Sequence, residues 1–300
     1  MARVVAVVGP TATGKSALGV ALAQRLGGEV INADSMQLYR GMDVGTAKLT
    51  EDERGGVAHH LLDIWDVTQT ASVADYQTRA RACIESLLAR GVTPVLVGGS
   101  GLYLRAVLDP IEFPGTDPHT RAGLEAELAD LGPQRLHERL AQADPATAAA
   151  LSPLNGRKIV RALEVIAITG RPFTAALPSY DGQLYDAVQI GLDMSTGLLD
   201  ARLAQRVDAM YAHGFEAEVR RLDTQGLRSG VTASRALGYA QLLAVIDGRM
   251  TESVARADTV RATRRFVRRQ RSWFRRDPRI VWLDPTATDP LTEAVRILTG

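Results

Sequence analysis

Cysteine is nearly absent. Cys83 is the only one in 300 residues, so no disulfide can close within the chain, and a reducing cytoplasm is the expected compartment. Cys83 itself reads as a small apolar residue on a helix. No signal peptide is expected, because the N-terminus reads as entering a strand directly, without a charged segment, an apolar segment and a cleavage site. No apolar run approaches the ~20 residues that span a bilayer, so no membrane partner is expected. The sequence has neither an internal repeat nor a low-complexity segment. What remains is an ordinary globular composition, 46% hydrophobic and 23% charged, long enough for one large α/β domain with an added module.

Net charge is small as well, +1 from 35 basic and 34 acidic residues. The average conceals an asymmetry. Residues 261–279, RATRRFVRRQRSWFRRDPR, hold nine Arg and one acid, a local +8, which leaves 26 basic against 33 acidic residues elsewhere, or −7. A cationic segment on an acidic body suggests a polyanionic partner. Arg261, Arg265, Arg268, Arg271 and Arg275 recur every three or four residues and are expected to share a broad helix face. Ala262, Phe266 and Trp273 would dock the other side. Arginine presents a planar fork suited to phosphate, so RNA backbone or pyrophosphate is the expected contact.

Near the N-terminus, VVAVVGPTATGKS contains G-x-x-x-x-G-K-[ST] over Gly9, Pro10, Thr11, Ala12, Thr13, Gly14, Lys15 and Ser16. Val4–Val8 reads as a buried strand and Ala17–Leu26 as a helix, which is the setting a P-loop requires. Backbone N–H groups of such a loop face a polyphosphate at the helix N-terminus. Lys15 would reach the terminal phosphates, and the Ser16 hydroxyl would enter a Mg2+ shell.

Strands are expected at Arg3–Val8, Glu29–Asn32, Val92–Val97, Ala187–Met194 and Arg279–Asp284, with a helix over Val73–Arg90. The alternation predicts an α/β fold: a P-loop NTPase-like parallel sheet flanked by helices. Ligands of such sheets sit at the carboxyl ends of the strands, so Gly9–Ser16, Ala33–Gln37 and Gly98–Gly101 should converge on one cleft. From His119 to about Ile168 the chain becomes Ala/Leu/Arg/Glu-rich, with breaks at Gly132-Pro133, Asp144-Pro145 and Ser152-Pro153. It reads as an all-helical insertion over 115–182, between core segments 1–114 and 183–300.

Asp34 ends the second strand, where a carboxylate could take a proton from a nucleophile; it could also cap the following turn. Alone it does not separate a kinase from other transferases. Gly98, Gly99 and Ser100 let the backbone approach a ligand, and the Ser100 hydroxyl could hold a phosphate oxygen or cap the next helix. His59 and His60, with no further His or Cys nearby, read as structural rather than metal ligands.

In order and spacing, GPTATGKS, INADSMQLYRGMDVGTAK, HHLLDIWDV, VGGSGLYL, GFEAEVRRL, ALGYAQ and RRFVRRQRSWFRRD…VWLD resemble the tRNA dimethylallyltransferase (IPP transferase) family from about Val4 to Asp284. The bacterial form is the expected one, since no zinc-finger pattern is read after the last strand. The resemblance implies transfer of a dimethylallyl group from dimethylallyl pyrophosphate to the exocyclic amine of the adenosine 3′ to a tRNA anticodon, with Mg2+ as cofactor. It implies that Asp34 is the general base and that the P-loop, Ser16 with Mg2+ and Ser100 hold the pyrophosphate; many relatives carry Thr at the Ser100 position. An arginine from LLDARLAQRVDAM would join them, either Arg202 or Arg206; Arg206 is favoured, though spacing does not separate the two. Implied tRNA contacts are Asp34, Ser35, Met36, Gln37, Ser100, Arg121, Lys158, Ile159, Val160, Arg161, Ala162, Arg235, Gly238 and Tyr239. The helical insertion would clamp the anticodon stem. A monomer is expected, because one chain supplies every part of the site. A small-molecule kinase using ATP would explain the P-loop and Asp34, but not the arginine-rich helix. An RNA-binding P-loop NTPase would explain that helix but lacks a plain Walker-B strand ending in Asp.

Overall fold

The structure, a computed structural model, describes residues 3–173 and 179–299. The chain divides into two compact units, one formed by Met1–Pro110 with Tyr180–Gly300 and the other by Ile111–Ser179.

In the larger unit, strand β1 (Val5–Val8) leads through the P-loop into helix α1 (Lys15–Leu26), then β2 (Gly28–Asn32) and the two-residue β3 (His59–His60). Helix α2 (Val73–Ala89), β4 (Thr93–Gly98) and α3 (Gly101–Leu108) follow. The smaller unit holds α4 (Pro118–Ala143), α5 (Pro145–Ala150) and α6 (Gly156–Thr169). The chain returns as β5 (Val188–Leu192), α7 (Thr196–Ala212), α8 (Phe215–Thr224), α9 (Tyr239–Ile246), α10 (Glu252–Phe274), β6 (Ile280–Leu283) and α11 (Pro290–Thr299). Among the described residues, six strands form one sheet in the order β3-β2-β4-β1-β5-β6, and every pairing is parallel.

Alternation along the central strand sorts its side chains between two cores. Val5 and Val7 pack with Leu18, Leu22 and Ala294 beneath α1 and α11. Ala6 and Val8 join the other face, with Ile84, Leu104, Phe215 and Tyr239. Both faces are covered by helices, which is why the strands are continuously apolar. The expected strands and the α2 helix are present, with ends shifted by one or two residues. The His59–His60 strand was not expected: two residues carry no periodicity, and its pairing with Val30 and Ile31 is a tertiary event.

The helical unit is broken where Gly and Pro require it. Gly132 adopts φ 77° inside α4, before Pro133, and Asp144 ends α4 and caps α5 by accepting from Thr147 N. Its core is Leu124, Leu136, Leu140, Ile159, Val160, Ala162 and Leu163.

Candidate active site

The P-loop is shaped by backbone that only certain residues tolerate. At Gly9, φ is 132° and a Cβ would lie 2.3 Å from the Leu192 carbonyl oxygen, so β1 can turn there only as glycine. Ala12 (φ 68°) and Gly14 (φ 97°) add two more left-handed residues before α1. The Thr13 hydroxyl and the Lys15 ammonium both donate to the Pro10 carbonyl, at 2.9 and 2.7 Å. Lys15 thus lies folded over its own loop. Burial lowers its pKa to about 8, against the opposing pull of Asp34 and with a further push from Arg206.

Asp34 is held at the end of β2 by Asn32. The Asn32 side chain accepts from Asp34 N and donates to the carbonyls of Asp34 and Leu61, so one buried amide ties two loops together. Asp34 Oδ1 accepts from Met36 N at 2.9 Å, an Asx-type turn that aims the carboxylate. The capping role and the cleft position therefore coexist. Ser100 does not take the capping role that its position allowed. It makes no side-chain cap for α3; its hydroxyl accepts from Ser35 N at 3.0 Å and donates to Ser35 Oγ at 3.2 Å.

Two cavities meet at Asp34. One, of about 820 Å3, is lined by Thr11, Ala12, Gly14, Lys15 and Ser16 of the P-loop, by Gln37, and by Gly98 and Gly99. The other, of about 310 Å3, is lined by Ser35, Met36, Ser100, Arg235, Phe266 and Arg269. Thr11, Asp34, Thr46, Arg206 and Met210 belong to both walls. The three strand-end segments do converge on one cleft. Arg206, on α7, donates to the Thr46 carbonyl at 3.0 Å, and its burial lowers its pKa against the opposing charge of Asp34. Arg202, one turn earlier, is exposed and lines neither cavity.

Several expected tRNA contacts are structural side chains. Tyr239 has no exposed surface, and its hydroxyl donates to Glu218 at 2.6 Å; Gly238 is buried beside it. Ile159, Val160 and Ala162 lie inside the helical unit's core, with at most 4% exposure, so their side chains cannot meet an RNA. Arg121 and Arg161 both bind the fully buried Glu164. Burial raises the pKa of that carboxyl, but the two guanidiniums outweigh burial and hold it below its usual range. Lys158 and Arg235 are exposed.

The arginine-rich segment also divides. Arg271, expected on the shared outer face, is buried and pairs with Asp193 at 2.7 Å, donates to Thr196 and Met194, and is joined on Asp193 by Arg275. Arg279 pairs with Asp109 and Asp277, Arg261 with Asp258, and Arg264 with Asp200. Arg265, Arg268 and Arg276 are exposed and form no ion pair among the described residues. Arg269 lies over the Phe266 ring at the mouth of the smaller cavity.

Sequence reasoning passed over Gln270, the one uncharged polar side chain in the RRQR run. It is buried on the inner face of α10, accepts from Thr11 N at 3.0 Å and donates to the Gly99 carbonyl at 2.9 Å. The arginine-rich helix thereby fastens the P-loop to the turn after β4. The Thr11 N–H, expected to face phosphate, is taken by this contact.

Among the described residues no helix is long and apolar enough to cross a membrane, and no three His, Cys, Asp or Glu residues cluster as a metal site.

Comparison with known proteins accounts for this arrangement. The model of the IPP transferase family matches residues 37–277. The tRNA dimethylallyltransferase of Streptomyces avermitilis is 67% identical over 291 residues, covering 97% of this chain and 93% of its own length. The solved structure of the full-length tRNA isopentenylpyrophosphate transferase of Bacillus halodurans is 40% identical, with a TM-score of 0.75 over 100% of this chain and 96% of that one. A eukaryotic dimethylallyltransferase acting on tRNA, 24% identical, shares the fold with a TM-score of 0.84 over 99% of this chain and 78% of its own. With its P-loop cleft, its paired cavities and matches of this extent, the chain belongs to the IPP transferase family.

Proposed function

We propose that this protein transfers a dimethylallyl group from dimethylallyl pyrophosphate to the exocyclic amine of the adenosine 3′ to the anticodon of a tRNA, releasing pyrophosphate. The observation that carries the reading is the meeting of the P-loop cavity and a second cavity, lined by Ser35, Ser100 and Phe266, at a single shared carboxylate, Asp34. The donor's pyrophosphate lies in the larger cavity against the P-loop, Lys15 and Arg206. The adenine enters the smaller one, between Ser35, Ser100 and Phe266. Leaving its stack costs the base about a few kcal/mol, which a single-stranded loop minimises.

The amine nitrogen attacks the allylic carbon, the carbon–oxygen bond breaks, and its electron pair leaves with the pyrophosphate. Asp34 takes the proton that the amine loses. An aromatic amine is a poor nucleophile and the leaving group is multiply charged, so the site must accept a proton and stabilise departing charge. Asp34 Oδ1 already accepts from Met36 N, which leaves Oδ2 for the proton. Lys15 and Arg206 face the developing negative charge, and Ser100 acts by fixing the Ser35 backbone at the adenine side.

The site suits Mg2+, which keeps several waters and binds through few protein oxygens together with substrate phosphates. The Ser16 hydroxyl, on the wall of the larger cavity, would be the protein ligand. When bound, the ion would neutralise charge on the pyrophosphate. Arg265, Arg268 and Arg276 supply sequence-independent contacts to RNA phosphates, and the helical unit, through Lys158, grips the anticodon stem. One chain carries all of these parts, which supports a monomer, and the single cysteine together with a tRNA substrate supports a cytoplasmic location.

The reading is tested by incubating the protein with unmodified tRNA and labelled dimethylallyl pyrophosphate, with ATP as a competing donor. Label should enter the RNA and be abolished by replacing the adenosine beside the anticodon. Phosphate release from ATP without label in the RNA would replace this reading by a kinase or NTPase.

A further inference from the structure

Glu218 lies on α8, in GFEAEVRRL, and faces the reverse side of the donor cavity wall. It is 7% exposed. Its carboxylate accepts from three successive backbone N–H groups, Asp43 at 3.0 Å, Val44 at 2.7 Å and Gly45 at 3.1 Å, and from the Tyr239 hydroxyl at 2.6 Å. Consecutive amides turned to one anion form a nest, here occupied by the protein's own carboxylate. The loop can come this close only because residue 45 is glycine: a Cβ there would lie 2.1 Å from the Phe215 ring and 2.6 Å from the Tyr239 ring. Burial and the adjacent carboxylate push the Tyr239 phenol well above its ordinary pKa, so it remains a donor.

What the nest positions is chemically pointed. The next carbonyl, Thr46, accepts from Arg206 at 3.0 Å and from the Gln37 side chain at 3.2 Å, and Thr46 belongs to the walls of both cavities. The far end of the loop is tied back to its start and to the loop at Asp63. Lys48, with a side chain only 3% exposed, pairs with Asp43 and Asp63 and donates to the Tyr39 carbonyl. Residues 43–48 are thus clamped at both ends, and the Glu218 end sets where Thr46 points. Tyr239 opens α9 just after Arg235, Ala236 and Leu237, which line the smaller cavity. The same carboxylate therefore joins the donor-side loop to the acceptor-side segment.

We propose that Glu218 is a positioning residue for transfer: it holds residues 43–45 so that the Thr46 carbonyl aims Arg206 at the donor pyrophosphate, and Tyr239 ties that setting to the acceptor wall. The inference rests on the reading of Arg206 given above. A guanidinium displaced by about 1 Å from a leaving group can cost transfer on the order of 100-fold.

The test is a double-mutant cycle of Glu218→Gln and Arg206→Ala, read as kcat and KM for dimethylallyl pyrophosphate, with hydrogen exchange at the amides of residues 43–45. Glu218→Gln keeps the shape and loses the charge that three N–H groups share. It should fold, exchange faster at those amides, and lose donor kcat/KM by about 10- to 100-fold. In the Arg206→Ala background the same change should add no more than about twofold, because its effect passes through Arg206. Tyr239→Phe should reproduce part of the loss in the parent and little of it in Glu218→Gln. Losses that multiply across the Glu218–Arg206 pair would overturn the inference, as would parental exchange and transfer in Glu218→Gln. Arg206→Ala with normal transfer would remove the pyrophosphate role of Arg206, and the positioning role with it. Loss of transfer in Arg206→Ala but not in Glu218→Gln would sink the positioning role alone.

Discussion

The P-loop and the arginine-rich helix are both short, densely informative stretches, yet they behave oppositely. In the P-loop the side-chain hydrogen bonds stay within the loop: Thr13 and Lys15 both donate to the Pro10 carbonyl. Its close approach to Leu192 and its tie to Gln270 reach further, but the turn itself is set by its own residues. In α10 the residues act over distance. Arg271 meets Asp193, 78 positions away, and Gln270 reaches back 259 positions to Thr11. A motif whose contacts are local declares its chemistry, whereas a charge run does not say which charges remain free.

The sharpest way to separate the two regions is to remove the carboxylate between them. Asp34→Asn keeps an oxygen for Met36 N but loses the base, and transfer should fall by about 100- to 10,000-fold with tRNA binding retained. Near-parental activity would take Asp34 out of the proton transfer. Arg271→Ala tests the helix as structure. It leaves Asp193 without its buried partner and should cost about 3 kcal/mol, a Tm drop of roughly 6–12 °C by calorimetry. An unchanged Tm would return Arg271 to the RNA-facing set.

The P-loop should reveal itself through pH. Free Lys15 has a pKa of about 8, and only its charged form suits a pyrophosphate, so donor affinity should be flat below that pH and fall about tenfold per unit above it. The sign for folding is opposite. Between pH 8 and 10.5 the unfolded chain carries the Lys15 proton and the ligand-free fold does not, so ligand-free stability should gain a contribution as pH rises through that range. Titration of donor binding by calorimetry checks the first statement. The smallest effect belongs to the outer face of α10. The double change of Arg265 and Arg268 to Ala should leave Tm unchanged, weaken all tRNAs alike and lower the salt slope of binding by about two. A selective effect on one tRNA would mean that these arginines read sequence.

Legibility follows the same division. The parallel sheet, the position of the P-loop and Asp34, and the breaks in the helical unit could all be read from residues, because apolar periodicity, glycine and proline act within a turn or a strand. Tyr239 and Ile159 could not be placed. A residue in a motif either touches a ligand or braces the residue that does, and Tyr239 braces Glu218. Glu218 itself sat in a recognised motif with no role, since its partners, 43–45, lie some 175 positions earlier. The choice between Arg202 and Arg206 was open in sequence because one helical turn separates them; the cavity walls include only Arg206.

By itself the sequence determined a P-loop on a parallel sheet, a carboxylate at the end of the next strand, and a cationic helix near the C-terminus. The backbone rules behind these act over a few residues. Only the tertiary structure decided which arginines stay free, which amide fastens the P-loop, and which buried carboxylate aims the loop beside Arg206. Those outcomes depend on pairing between charges and amides that the chain brings together only when its sheet closes, and burial makes each pairing obligatory.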